Sequence, residues 1–260
     1  MNSVLVLAFA LGVRHGVDPD HLTAIDGLSR VRPRRTNGLY FAIGHGLVVT
    51  ALAAGFGGVL AGRAAFLGPW ALVTIGLVNL RRIFSVPAHS HAACRPIIAQ
   101  PLLLGMLLAA GFETASQLSV LVLAANSSAW LAGLAFSAGM VVVDGIDGYL
   151  AASMQRLAID GAASAQIASR WLGILVVLFA FGLGGAELLG VEIEGAALPL
   201  GCILFVIVVG FRVWARRPAQ RYGLPNLIAT TADGQSRANG IIQQFKQEVP
   251  PNTVRPPLLG

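Results

Sequence analysis

The sequence predicts an all-α fold, a polytopic membrane helix bundle. Three observations carry that reading: the composition, the length of the apolar runs and the placement of the arginines. Of 260 residues, 55% are hydrophobic and 12% charged, with a mean hydropathy of +0.72. A soluble domain carries about 25% charged residues, so this chain has too few to solvate a water-facing surface. The same hydrophobicity excludes a disordered chain. The net charge of +6 does not point to nucleic acid, because the basic residues gather in short clusters between apolar runs, as topology signals do.

Seven runs approach the roughly 20 apolar residues that a membrane-spanning helix requires. In order they cover 4–28, 38–61, 66–86, 98–125, 129–154, 170–190 and 196–215. Together they make one domain, 1–215. The segment 216–260 is rich in Pro, Gln, Asn and Arg and reads as a cytoplasmic tail without fixed structure, with one short helix expected near 241–249. The first run is followed by Arg30, Arg32, Arg34 and Arg35, and the third by Arg81, Arg82 and Arg95. Arg156 and Arg170 follow the fifth, and the tail holds Arg212, Arg216, Arg217 and Arg221. The alternate connections hold only Arg63, or the acidic Glu192 and Glu194. That alternation predicts seven crossings of the cytoplasmic membrane, with the N-terminus outside and the C-terminus inside. No signal peptide is expected, since the first run lacks a basic leader and continues into His15 and Asp18. Cys94 and Cys202 are too far apart to read as a metal motif or a disulfide framework. Gly55, Gly57 and Gly58 in the second run, and Gly182, Gly184 and Gly185 in the sixth, are expected to allow close helix packing.

Ionisable residues are costly in hydrocarbon and usually face the bundle interior, where they mark a site or a pathway. The first run holds Arg14, His15, Asp18, Asp20, His21 and Asp26. The second holds His45, the fourth Glu113 with Thr114, Ser116 and Gln117, and the fifth Asp144 and Asp147. The third, sixth and seventh read as structural. On a regular helix His15 and Asp18 share a face, while Asp20 and His21 point elsewhere. Pro19 lacks a backbone donor and Gly16 adds freedom, so a kink here is expected to bring His15, Asp20 and His21 together. Broken helices are tolerated at membrane depth where they line a site. Imidazole suits Ni, Co, Zn and Cu, and carboxylates add charge neutralisation. The two histidines argue against a Mg or Ca site. His45 offers a third imidazole; Glu113 and Asp144 offer neutralisation or orientation of the ligands. Structural roles stand beside these. A lone membrane His can be an interhelical hydrogen-bonding residue, and Arg14 can pair with Asp18 or Glu113. Asp26, close to the arginine loop, reads as a surface salt bridge, and Asp147 as a proton or packing partner. His89 and His91 read as solvated loop residues or a weak metal-capture tract.

These strings resemble the nickel/cobalt transporter family. RHGVDPDH at 14–21 is similar to its Arg-His-Ala-x-Asp-Ala-Asp-His signature, FAIGHGLVV at 41–49 to its Gly-His-Ser motif, AGFETASQL at 110–118 to LGFDTATE, and AGMVVVDGIDG at 138–148 to GMxxxDTxDG. Asn79-Leu80 is a weaker fifth match. The likeness covers about residues 8–154. It implies secondary uptake of Ni²⁺ or Co²⁺ through an intramembrane His/Asp site. In that site His15, Asp20 and His21 would be core ligands and Asp18 an orienting or neutralising group. His45 would be a further ligand or gate, and Glu113 and Asp144 would stabilise the cation along its path. The family usually has eight spans with the signature on the second, so either an N-terminal span is missing here or this branch has seven. Pro19 replaces the usual Ala, as in related urease-accessory membrane proteins. Gly46 stands for Ser or Thr, Glu113 for Asp and Gln117 for Glu; these changes bear on metal preference. No resident cofactor is expected, the metal being cargo. The chain has neither a P-loop nor an HExxH motif, so an ATPase and an enzyme are both disfavoured, an intramembrane metalloenzyme included. The expected partners are the divalent ion, the bilayer and a cytoplasmic metallochaperone, with no nucleic acid. Metal efflux and a non-transporting accessory role in nickel-enzyme maturation are the alternatives.

Overall fold

The computed structural model describes residues 2–56, 66–84, 100–111, 119, 128–191 and 194–216, all within one unit, Met1–Pro218. Among these residues every regular element is helical. The first apolar run is two helices, α1 (Asn2–His15) and α2 (Pro19–Val31). The break follows from its sequence. A residue preceding proline is driven out of the helical region, and Asp18 is extended at φ −62° and ψ 145°. Pro19 then occupies the first turn of α2, where its missing N–H costs nothing. Val17 and Asp18 close a tight turn onto the carbonyls of Arg14 and His15 at 3.1 and 2.9 Å. The expected kink is therefore a full interruption.

The chain continues through α3 (Asn37–Ala51), which runs into a π-helical turn at Leu52–Phe56 where Gly55 adopts φ +94°. The later helices are α4 (Leu67–Phe84), α5 (Pro101–Gly111), α6 (Ala129–Ile159), α7 (Ala163–Leu188) and α8 (Glu194–Ala215). Among the described residues four stretches are long and apolar enough to cross a membrane: Asn37–Gly55, Ala129–Ile159, Ala163–Leu188 and Gly195–Ala215. Leu47, Ile146, Leu178 and Val206 each expose more than half of their surface, an outward apolar surface suited to lipid. Of the run expected at 98–125, the described helix covers Pro101–Gly111. Glu113, Thr114, Ser116 and Gln117 lie outside the described residues, as do Gly57, Gly58, Arg63, His89, His91, Cys94, Arg95 and all of the tail beyond Arg216.

Close backbone approach holds α1, α3, α5 and α6 together. A Cβ at Gly12 would stand 1.9 Å from the Phe136 carbonyl oxygen, one at Gly139 2.1 Å from that of Phe9, one at Gly38 1.7 Å from that of Asp144, and one at Gly105 2.0 Å from that of Phe41. Only glycine fits such crossings, which is how helices associate in lipid. The glycines singled out in the sequence behave differently. Gly184 does pack, on Pro69 and Val73, but a Cβ at Gly55, Gly182 or Gly185 would meet nothing within 4 Å among the described residues. Phe41, Leu72, Ile75 and Leu104 fill the core beside α2, and Phe136 and Met140 fill it beside α1. Helix α2 is the interior element, with Pro19 through Ser29 all buried. A polar helix is affordable at membrane depth only when other helices wrap it on every side.

Candidate metal centre

Three histidines meet where α1 ends and α2 begins. His15 is the last residue of α1, His21 the third of α2, and His45 lies in the second half of α3. All three are fully buried. Their ring centroids are 4.5 Å apart for His15–His21, 5.0 Å for His15–His45 and 4.5 Å for His21–His45. One ligand nitrogen from each lies within 4.8 Å of the other two. Phe41 and Phe136 wall the cluster, 4.9 Å from the His21 ring and 5.3 Å from the His15 ring.

Two carboxylates set how the rings face. His15 Nδ1 donates to Asp18 Oδ2 at 2.7 Å, and His21 Nδ1 donates to Asp144 Oδ2 at 3.0 Å. With Nδ1 protonated by that bond, Nε2 keeps its lone pair, which is the tautomer that a metal requires. His15 Nε2 then accepts from His45 Nε2 at 3.1 Å. His21 Nε2, Asp144 Oδ1 and Asp20 Oδ2 are buried with no hydrogen-bond partner. Unsatisfied buried polar atoms are costly and are tolerated where a ligand completes them. His15 and Asp18 stand three residues apart across the break, where Asp18 has already left the helical conformation. Gly16 leaves room beside the carboxylate, since a Cβ there would stand 2.8 Å from Val143 and 3.2 Å from Asp144 Oδ1.

Of the residues singled out in the sequence, His15, His21, His45, Asp18 and Asp144 are thus brought together. Asp20 is buried next to His21 but is not among the three clustered donors. Gly46 has a counterpart across the interface: Ser137 Oγ, on α6, lies 2.6 Å from where its Cβ would stand and donates to the Gly46 carbonyl at 3.2 Å. The hydroxyl absent from position 46 is present on the facing helix.

One reading is overturned. Asp26 makes no surface salt bridge with the arginine loop. It is 1% exposed and, with Asp147, receives Arg212 from α8, at 3.1 Å to Asp26 Oδ1 and 2.5 Å to Asp147 Oδ1. The seventh run is therefore more than structural. Arg212 was read as part of the tail cluster, yet it is followed by Val213, Trp214 and Ala215. That apolar continuation is the signal that separates it from Arg216 and Arg217.

The family model described as High-affinity nickel-transport protein (NicO) matches residues 1–64, which contain all three histidines. Hydrogenase nickel incorporation protein HupN of Bradyrhizobium diazoefficiens is 29% identical across 71% of this chain and 63% of its own length. Nickel transporter NicT of Mycobacterium tuberculosis is 29% identical across 80% of this chain and 75% of its own. Cobalt transport protein NhlF of Rhodococcus rhodochrous is 51% identical over 53 residues, 18% of this chain and 15% of its own. The chain thus spans under two thirds of the length of HupN. No solved structure matches. The apolar helices and the likeness to nickel transport proteins point to a membrane protein, one that is similar to the high-affinity nickel-transport proteins across its histidine-bearing helices.

Proposed function

We propose that the chain is a secondary transporter that carries Ni²⁺ or Co²⁺ into the cell across the cytoplasmic membrane, with His15, His21 and His45 as the ligands of the cargo ion. The observation that carries this reading is the buried meeting of three imidazoles, two of them held by carboxylates. An ion entering here must leave its water behind. Three nitrogen donors replace part of that shell, and imidazole favours late first-row divalent ions over Mg²⁺ or Ca²⁺. Asp18 and Asp144, the carboxylates that hold two of the ligand rings, offset the charge of the cargo in a low-dielectric interior. Metal–imidazole bonds are about 2.0–2.1 Å long, so the donors close in slightly on loading. Asp20 and Glu113 are further negative charges for the cation's path.

Seven crossings with the N-terminus outside and the C-terminus in the cytoplasm fit this reading, α1 and α2 together making the first. The arginine contacts support that topology. Arg82 donates to the Arg30 carbonyl, Arg156 Nε to the Pro33 carbonyl at 3.1 Å, and Arg35 lies 5.2 Å over the Tyr149 ring. Basic residues of three separate connections thus meet at one end of the bundle, the end that faces the cytoplasm under the positive-inside rule. The inside-negative potential then drives cation entry. The tail beyond 215 and a cytoplasmic metallochaperone belong to the same proposal as delivery elements. The chain needs no resident cofactor and performs no catalysis. The name of HupN favours one second reading, an accessory role in supplying nickel to an enzyme.

Radiolabelled Ni²⁺ and Co²⁺ uptake by cells expressing the chain tests the proposal, with His15→Ala at matched membrane level as the control. Uptake that His15→Ala abolishes is the expected result. Equal uptake by both would remove His15 from the path, and no uptake by either would favour the accessory role.

A further inference from the structure

Asp26, Asp147 and Arg212 form a second buried polar group, which the three-histidine centre does not use. Each is at most 3% exposed. One guanidinium faces two carboxylates, which leaves one formal negative charge over. The next cation along α2, Arg30, attracts Asp26 electrostatically but gives its hydrogen bonds to Asn79 at 3.2 Å and to Ser169 Oγ at 3.0 Å. Asp26 Oδ2 is buried without a hydrogen-bond partner, and so is Thr23 Oγ1 on the preceding turn. Asp26 and Thr23 line the same small cavity, walled by Leu22, Leu172, Val176 and Leu204. An excess negative charge and two unsatisfied oxygens among apolar side chains are costly unless a cation completes them.

The position of this group gives it a role. Asp26 lies five residues beyond His21, about 7.5 Å of helix rise toward the arginine-rich segment. Asp147 lies one turn beyond Asp144, the residue that holds His21. The group is therefore the next polar station after the histidine centre, on the arginine-loop side. Oxygen donors alone hold Ni²⁺ and Co²⁺ less tightly than a site that includes imidazole. A conducting path needs such a step, because an ion must be able to leave each site that it enters.

We infer that Asp26 and Asp147, with Thr23, form a second and weaker oxygen-only station for the transported divalent cation, which the Arg212 guanidinium occupies as a tethered counter-cation until the ion displaces it. This rests on the transport reading for the identity of the ion. It does not require that the histidines bind first.

Equilibrium dialysis of ⁶³Ni²⁺ against the untagged full chain in neutral-lipid nanodiscs tests it. The wild type is expected to show two classes of site. His15→Ala removes the tight class and keeps the weak one. Asp26→Asn weakens the weak class about tenfold or more and keeps the tight one. That variant retains an oxygen for Arg212 and leaves Asp147 paired with it, so the fold is expected to persist, and the tight class in the same sample reports on it. Thr23→Val, which removes only the hydroxyl, decides the matter if Asp26→Asn loses both classes; it is expected to weaken the weak class alone. A wild type without a weak class, or a weak class untouched by both variants, overturns the inference. Absence of the tight class with the weak one intact would instead sink the histidine reading and leave the second station standing.

Discussion

Asp144→Asn separates the orientation of a metal ligand from ligation itself. Asp144 is fully buried and accepts from His21 Nδ1 at 3.0 Å. Asparagine is isosteric, and its amide oxygen can still accept that bond, so the ring has no steric reason to move. What changes is charge. The loaded centre loses one carboxylate that offsets the charge of the cargo, and the basicity of His21 Nε2 falls with the loss of the carboxylate behind it. Replacing such a supporting partner typically costs 10–100-fold in metal affinity, which is about 1.4–2.8 kcal/mol at 1.4 kcal/mol per tenfold. The assay is Ni²⁺ binding to purified protein in nanodiscs, with Asp160→Asn, an exposed carboxylate at the end of the same helix, as control. Wild-type affinity in Asp144→Asn would refute the orientation argument. A total loss of binding would mean that Asp144 ligates the ion directly.

Further outcomes follow from the packing. Gly38→Ala places a methyl where the Asp144 carbonyl oxygen already stands, 1.7 Å away, so it should lower the melting temperature in detergent by the overpacking cost of about 1–3 kcal/mol or more; Gly145→Ala, with nothing within 4 Å, should be neutral or slightly stabilising. Gly46→Ser should destabilise alone, because its Cβ would meet Ser137 Oγ at 2.6 Å, and Ser137→Gly should rescue it; a double-mutant cycle with no coupling would contradict the exchange of the hydroxyl between α3 and α6. His21→Ala should abolish uptake while the protein still inserts at wild-type level, read by uptake and membrane immunodetection together.

Much of the site was legible because hydrocarbon makes charge expensive. That single cost picked out His15, His21, His45 and Asp144 in runs that otherwise look uniform. Their grouping was only partly legible. The helical angle places Asp20 and His21 by counting from His15, but the extended backbone at Asp18 resets the phase, and the count then says nothing about which of the two faces His15. His45 arrives from another helix, so its rank among the ligands depends on the α3–α6 and α3–α5 crossings, which Gly38 and Gly105 set. Arg212 was misread because an arginine near a helix end is compatible both with snorkelling to the surface and with a buried pair. Only the carboxylates of α2 and α6 decide between these, and their alignment with α8 is a property of the assembled bundle. The glycines of the sixth run show the same limit, since Gly184 meets α4 while a Cβ at Gly182 or Gly185, on the same helix, would meet no described residue within 4 Å.

The central claim is that three imidazoles hold the cargo ion. X-ray absorption at the nickel edge of the Ni²⁺-loaded chain in nanodiscs, beside His45→Ala, counts them directly. Three nitrogen-ring scatterers in the wild type and two in His45→Ala are the predicted result. An all-oxygen shell, or the same ring count in both proteins, would contradict it.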